Sequence, residues 1–145
     1  MHPVRFLSQL LARASLLLRR RTLSIGERGE RLAAYYLVRQ GWKIVARNWR
    51  DVVGELDIVA VDNRTVVFVE VKTWSIADQS PALAVDHDKQ TRLTRLALRF
   101  LKQHDLLEVS ARFDVIAIRW PVNQRPLVEH IIDAFVPTGK WQFFS

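Results

Sequence analysis

Two runs rich in β-branched residues, 54–61 (GELDIVAV) and 65–72 (TVVFVEVK), constrain this chain more than any other feature. Only Asp62-Asn63-Arg64 separates them, so they read as antiparallel strands joined by a tight turn. Apolar strands seldom carry many charges, yet these hold Glu55, Asp57, Glu70 and Lys72. A hairpin folded symmetrically about the Asn63–Arg64 bond sets Asp57 opposite Glu70 and Glu55 opposite Lys72. Alternation then puts Glu55 with Asp57, and Glu70 with Lys72, on one face, so all four converge on one patch. Opposed Cβ atoms lie roughly 4.5–5.5 Å apart, close enough for two carboxylates to share a divalent cation and, without one, to repel. The competing structural explanation is a buried Glu–Lys ion pair with Asp57 capping a turn. Such pairs can often be replaced by apolar residues without loss, so four gathered charges call for a reason.

The 145 residues suit one domain with a sizeable core. The absence of cysteine excludes disulfides, thiolate metal sites and thiol nucleophiles, and fits a reducing cytoplasm. A net charge of +7 and a pI near 10.5 point to a polyanionic partner, nucleic acid before a membrane surface. Residues 1–24 hold five arginines and no acid and form a basic leader, leaving 25–145 as the folded domain. Gln9 and Arg13 break the leader's apolar stretch, which is too short to span a bilayer, so no integral membrane association is expected. A surface helix on anionic lipid or a nucleic-acid-binding arm are alternatives for the leader.

Ser24-Ile25-Gly26-Glu27 matches a capping box and predicts a helix from there to about Gln40, with Gly41 as its stop. Helical spacing aligns Glu30 with Ala33, Ala34 and Leu37, so Glu30 lies either at the solvated edge of an apolar stripe or turned toward a site at the core's rim. Residues 42–49 read as a first strand, and Ser75–Ser80 with Pro81 as a loop beside the hairpin. A second helix is expected from His87 to His104, capped by Asp86. Its Lys89, Arg92, Arg95, Arg99 and Lys102 fall in one arc, as either a solvated face or a nucleic-acid-binding stripe, while Leu93, Leu96, Ala97, Phe100 and Leu101 fall in another. Gln90 lies in the apolar arc and should direct its amide toward the sheet. Residues 112–119 and 127–135 read as further strands, with Asp114 paired to an arginine or a backbone donor. The apolar tail Trp141–Phe144 is expected to pack on the domain. Helix, three strands, helix, strands implies an α/β fold, a mixed sheet flanked by helices. Asp57, Glu70 and the adjoining main-chain carbonyl of Val71 are hard oxygen donors of the kind Mg²⁺ or Mn²⁺ prefers, and Lys72 offers a positive group beside them.

Acid, strand, then Glu-x-Lys is the signature of the PD-(D/E)XK nuclease superfamily, and Asp57 with Glu70-Val71-Lys72 matches its spacing. More closely, the chain resembles the YraN family of uncharacterised bacterial proteins through Gly26–Glu30, Gly41, Arg47-Asn48-Trp49, Gly54–Asp57, Phe68–Thr73, Lys89-Gln90 and Arg112–Val115. The resemblance implies a restriction-endonuclease-like core in the order αβββαβ, similar to archaeal Holliday-junction resolvases. It makes Asp57 and Glu70 metal ligands, Lys72 the catalytic lysine, and Glu30 and Gln90 helix-borne additions to the site. It also implies a Mg²⁺- or Mn²⁺-dependent endonuclease-like protein acting on DNA, branched or damaged DNA included, and by analogy a symmetric homodimer. The alternative is a nucleic-acid-binding module with this fold and no turnover, its affinity carried by Lys89, Arg92, Arg95 and Arg99. Leu56 replaces the proline of the superfamily name, and Trp74 stands where relatives more often carry arginine.

Overall fold

Ser24 and Glu27 close the first helix reciprocally: the Glu27 N–H donates to Ser24 Oγ at 3.1 Å and the Ser24 N–H to Glu27 Oε2 at 2.8 Å. In a computed structural model describing residues 22–75 and 82–139, this cap opens α1 (Ile25–Arg39), and Gly41 turns away with φ 88°. Strands β1 (Lys43–Asp51), β2 (Gly54–Asp62) and β3 (Thr65–Ser75) follow, then α2 (His87–Gln103), β4 (Ala111–Trp120) and β5 (Leu127–Phe135). The basic leader up to residue 21, the loop 76–81 and the tail from residue 140 lie outside the described residues.

The five strands form one sheet in the order β1-β2-β3-β4-β5, antiparallel throughout except for the parallel β3/β4 pair that the α2 crossover makes possible. The architecture is that of a restriction-endonuclease-like α/β core, with β5 added at the far edge. The β2/β3 register is the expected one, Ile58 facing Val69 and Asp62 facing Thr65, and Asn63 makes the turn at φ 54°.

Alternating side chains feed two separate cores. Val66, Phe68, Phe113 and Val115 pack with Leu93, Leu96, Ala97, Phe100 and Leu101 of α2, and Val67, Val69, Ile116 and Ile118 pack with Ala33, Ala34 and Leu37 of α1. Helix α1 comes unusually close to β3 at Gly29: a Cβ there would sit 2.0 Å from Thr73 Oγ1. That contact seats the next residue, Glu30, over the end of the hairpin. Asp114 is fully buried and accepts from Arg112 Nε at 3.0 Å, His130 Nε2 at 2.8 Å and the Asp133 N–H at 3.0 Å, the arginine and backbone pairing expected of it. Among the described residues no helix is long and apolar enough to cross a membrane.

Candidate functional site

The site forms where β2 and β3 part. Their ladder ends at Ile58 and Val69, and in the gap beyond it Asp57 Oδ2 accepts from the Val71 N–H at 2.8 Å. The carboxylate thereby replaces a missing ladder partner. A strand residue directs its N–H and C=O to the same edge, so the Val71 carbonyl opens into this gap as well. Asp57 and Glu70 line one cavity of about 10 Å³, walled by Leu56, Phe68, Val69, Leu93, Phe113, Phe135 and the buried Asp114. That is room for about one water molecule, so a larger ligand must lie over its mouth.

Burial, and after it the charge of Glu70, pushes the Asp57 carboxyl up to about 7 from its ordinary 3.8. The Glu70 side chain is only 10% exposed and accepts from the Lys89 ammonium, which reaches down from the first turn of α2. Lys72 lies on the same face but sends its ammonium to the carbonyls of Ala82 and Ala84, the latter at 3.0 Å. Burial and then the nearby Lys89 lower its pKa.

Glu55 does not face Lys72, as simple alternation would have it. Asn48, opposite Asp57 on β1, adopts φ 50°, a left-handed conformation that asparagine tolerates, and the β1/β2 ladder is unpaired at this point. Leu56 packs into the α2 core, while Glu55 accepts from Arg50 Nε at 3.0 Å. With its amide nitrogen turned toward the acids, the orientation that satisfies both amide atoms, Asn48 donates to Glu30 Oε2 at 2.8 Å and Glu55 Oε1 at 2.9 Å. Burial raises the pKa of Glu30, against the Asn48 hydrogen bond, and Glu30 in turn adds to the upward pressure on Asp57. The structure thus sets Glu30 at the rim of the site through a residue, Asn48, whose part sequence reasoning missed; its signals were an asparagine inside a strand and its place in the Arg47-Asn48-Trp49 piece of the family resemblance.

Helix α2 contributes unevenly. Gln90 Nε2 donates to the Val85 carbonyl at 2.7 Å, holding the segment that supplies the acceptors for Lys72. Two members leave the outward basic stripe: Lys89 turns inward onto Glu70, and Arg99 forms a two-bond pair with Asp51 at 2.5 and 3.0 Å. Arg92, Arg95 and Lys102 stay exposed and form no ion pair among the described residues. No three His, Cys, Asp or Glu side chains among the described residues cluster as a metal site, so the candidate set is two carboxylates and a carbonyl.

The model of the uncharacterised protein family UPF0102 matches residues 29–118, which include Glu30, Asn48, Asp57, Glu70, Lys72 and all of α2. The chain belongs to this family. A UPF0102 protein of Rhodopirellula baltica is 45% identical over 126 residues, covering 83% of this chain and 75% of the relative. Similar proteins of Geobacter sulfurreducens (49% over 112 residues, 77% and 88%) and Rhodococcus jostii (44% over 114 residues, 78% and 97%) bear the same family name. That name carries no activity, so function has to be argued from the site.

Proposed function

We propose that this chain is a PD-(D/E)XK-type, Mg²⁺- or Mn²⁺-dependent endonuclease-like hydrolase of DNA phosphodiesters, with branched or damaged DNA as the leading substrate in the manner of Holliday-junction resolvases. The observation that carries this reading is the pair of acids, Asp57 and Glu70, facing one cavity where the hairpin opens, with the main-chain groups of Val71 turned into the same gap. The donor set fits such an ion: hard oxygens, two of them carboxylates, at a place where burial, and after it the charge of Glu70, disfavours the ionised form of Asp57.

A divalent cation held by Asp57, Glu70 and the Val71 carbonyl would supply Lewis acidity toward a phosphoryl oxygen and the attacking water. Lys72, two residues beyond Glu70 on the same face, balances charge developing on the phosphate once its ammonium exchanges the Ala82 and Ala84 carbonyls for substrate oxygens. Glu30 and Asn48 hold the Asp57 side of the site, and Gln90 holds the segment behind Lys72. Arg92 and Arg95 draw the DNA backbone toward the helix.

The test is cleavage of four-way junctions, flaps and linear duplex in Mg²⁺ or Mn²⁺ by native protein, Asp57→Ala and Lys72→Ala. Each substitution is expected to lower the rate on the order of 10²-fold or more; equal cutting by all three would mean contamination and end the proposal. The engagement of Glu70 by Lys89 favours a second reading, a nucleic-acid-binding module without turnover. That module would cut nothing, yet bind DNA with unchanged affinity after Asp57→Ala and lose affinity steeply with salt.

A further inference from the structure

The face of β3 that carries Glu70 and Lys72 continues to Trp74. Val66 and Phe68 pack on the α2 side while Val67, Val69 and Val71 pack on the α1 side, so residues 70, 72 and 74 follow one another toward α2. In the parallel β3/β4 ladder Trp74 pairs with Arg119, and Arg119 shares the face of Phe113 and Val115. The two side chains therefore stand next to each other at the end of the sheet, the indole half-buried and the guanidinium exposed. Around them lies an open groove of about 340 Å³, floored by Ala117 and bounded by Leu83, Leu127 and Glu129. The cavity lined by Asp57 and Glu70 has room for about one water; this groove is in the range of a small-ligand site.

We infer that Trp74 and Arg119 form a subsite for one unpaired nucleotide adjacent to the phosphate cut at Asp57 and Glu70, the base stacking on the indole and its phosphate meeting the guanidinium. This rests on the proposed phosphodiester chemistry and names its substrate class: nucleic acid with a single-stranded or extruded nucleotide beside the cleavage point. Three observations support it. Two strand residues advance about 6.6 Å from Lys72 to Trp74, comparable with one step of an extended single strand, so consecutive nucleotides fall on consecutive same-face residues. An aromatic ring beside an exposed cation is the pairing that binds single strands, because every base has a π face and every link a negative charge. Glu129, an acceptor on β5 diagonal to Arg119 across the β4/β5 ladder, disfavours a phosphate beside it, so the phosphate lies on the side of Arg119 away from Glu129. A base inside a duplex has both faces covered by its neighbours and cannot take this seat unless it leaves the stack.

The experiment measures binding of native protein, Trp74→Phe, Trp74→Ala and Arg119→Ala to fluorescent single-stranded and blunt duplex oligonucleotides of one sequence, by anisotropy in chelator without divalent metal. The expected result is a roughly 5- to 150-fold weaker single-strand Kd for Trp74→Ala, most of it regained in Trp74→Phe, and duplex affinity within about twofold of native. Arg119→Ala should weaken single-strand binding and make the salt slope shallower by about one phosphate contact. Native single-strand affinity in both Trp74→Ala and Arg119→Ala overturns the inference while leaving the hydrolase reading intact. An equal loss on single strand and duplex also overturns it, as does failure of native protein to bind either, while cleavage in Mg²⁺ or Mn²⁺ decides the hydrolase reading separately.

Discussion

Replacing Asp57 by asparagine should stabilise the metal-free protein, increasingly so as pH rises from about 4 to about 7. Burial and the neighbouring Glu70 raise the Asp57 pKa from 3.8 to about 7 in the folded state. Between those values the folded chain holds a proton that the unfolded chain has released, so stability falls as pH rises from about 4 to about 7 and then levels. At ~1.36 kcal/mol per pH unit the shift corresponds to about 4 kcal/mol, and a realistic gain in Asp57→Asn at pH 8 is about 2–4 kcal/mol after local relaxation. Asparagine cannot ionise, and its amide oxygen can still accept from the Val71 N–H, so the pH-dependent loss disappears while the hydrogen bond remains. Urea unfolding of both proteins in chelator from pH 4 to pH 9 measures the difference directly and cancels the titrating groups that do not interact with Asp57. The expected midpoint gap at pH 8 is on the order of 1–2 M urea, closing toward pH 4. Added Mg²⁺ or Mn²⁺ should raise native stability at pH 8 and leave Asp57→Asn nearly unmoved. A gap between the two proteins that stays constant within about 0.5 kcal/mol across the range would refute the reasoning, since an uncompensated carboxylate must register as pH dependence.

Two further substitutions probe the frame around the site. Gly29→Ala gains helix propensity of about 1 kcal/mol but drives a methyl against Thr73, so a net loss of about 1–2 kcal/mol is expected in thermal or urea unfolding; a variant as stable as native would show that α1 does not approach β3 as described. Arg112→Met removes two of the donors to the buried Asp114, whose pKa burial would raise but whose hydrogen bonds from His130, Arg112 and the Asp133 N–H hold below the ordinary 3.8. The expected cost is about 3 kcal/mol at pH 7, and a midpoint shift equivalent to less than about 1 kcal/mol would mean that the remaining donors suffice.

Local rules made much of the fold legible. The capping box of Ser24 and Glu27, the N-cap of Asp86, the Asn63 turn and the period-2 runs each act over a few residues, and every one appears where the sequence implied it. The parts of the site that could not be read depend on contacts between distant elements. Simple alternation carried Glu55 to the wrong neighbour, because Asn48 adopts a left-handed conformation and the hairpin opens beyond Ile58 and Val69. Helical periodicity put Lys89 and Arg99 in one outward arc, yet each is a long side chain within reach of an acid, Glu70 or Asp51, supplied by the sheet.

The sequence by itself determined which segments become strands and helices, the hairpin register from Ile58–Val69 to Asp62–Thr65, and the surplus of positive charge, because periodicity, turn chemistry and composition are properties of neighbours along the chain. Only the tertiary structure decided where the hairpin opens, which lysine neutralises which acid, and that Trp74 meets Arg119 at the end of the sheet. Those outcomes follow from strand pairing across the α2 crossover and from the reach of helix side chains onto the sheet, both fixed jointly by residues many positions apart.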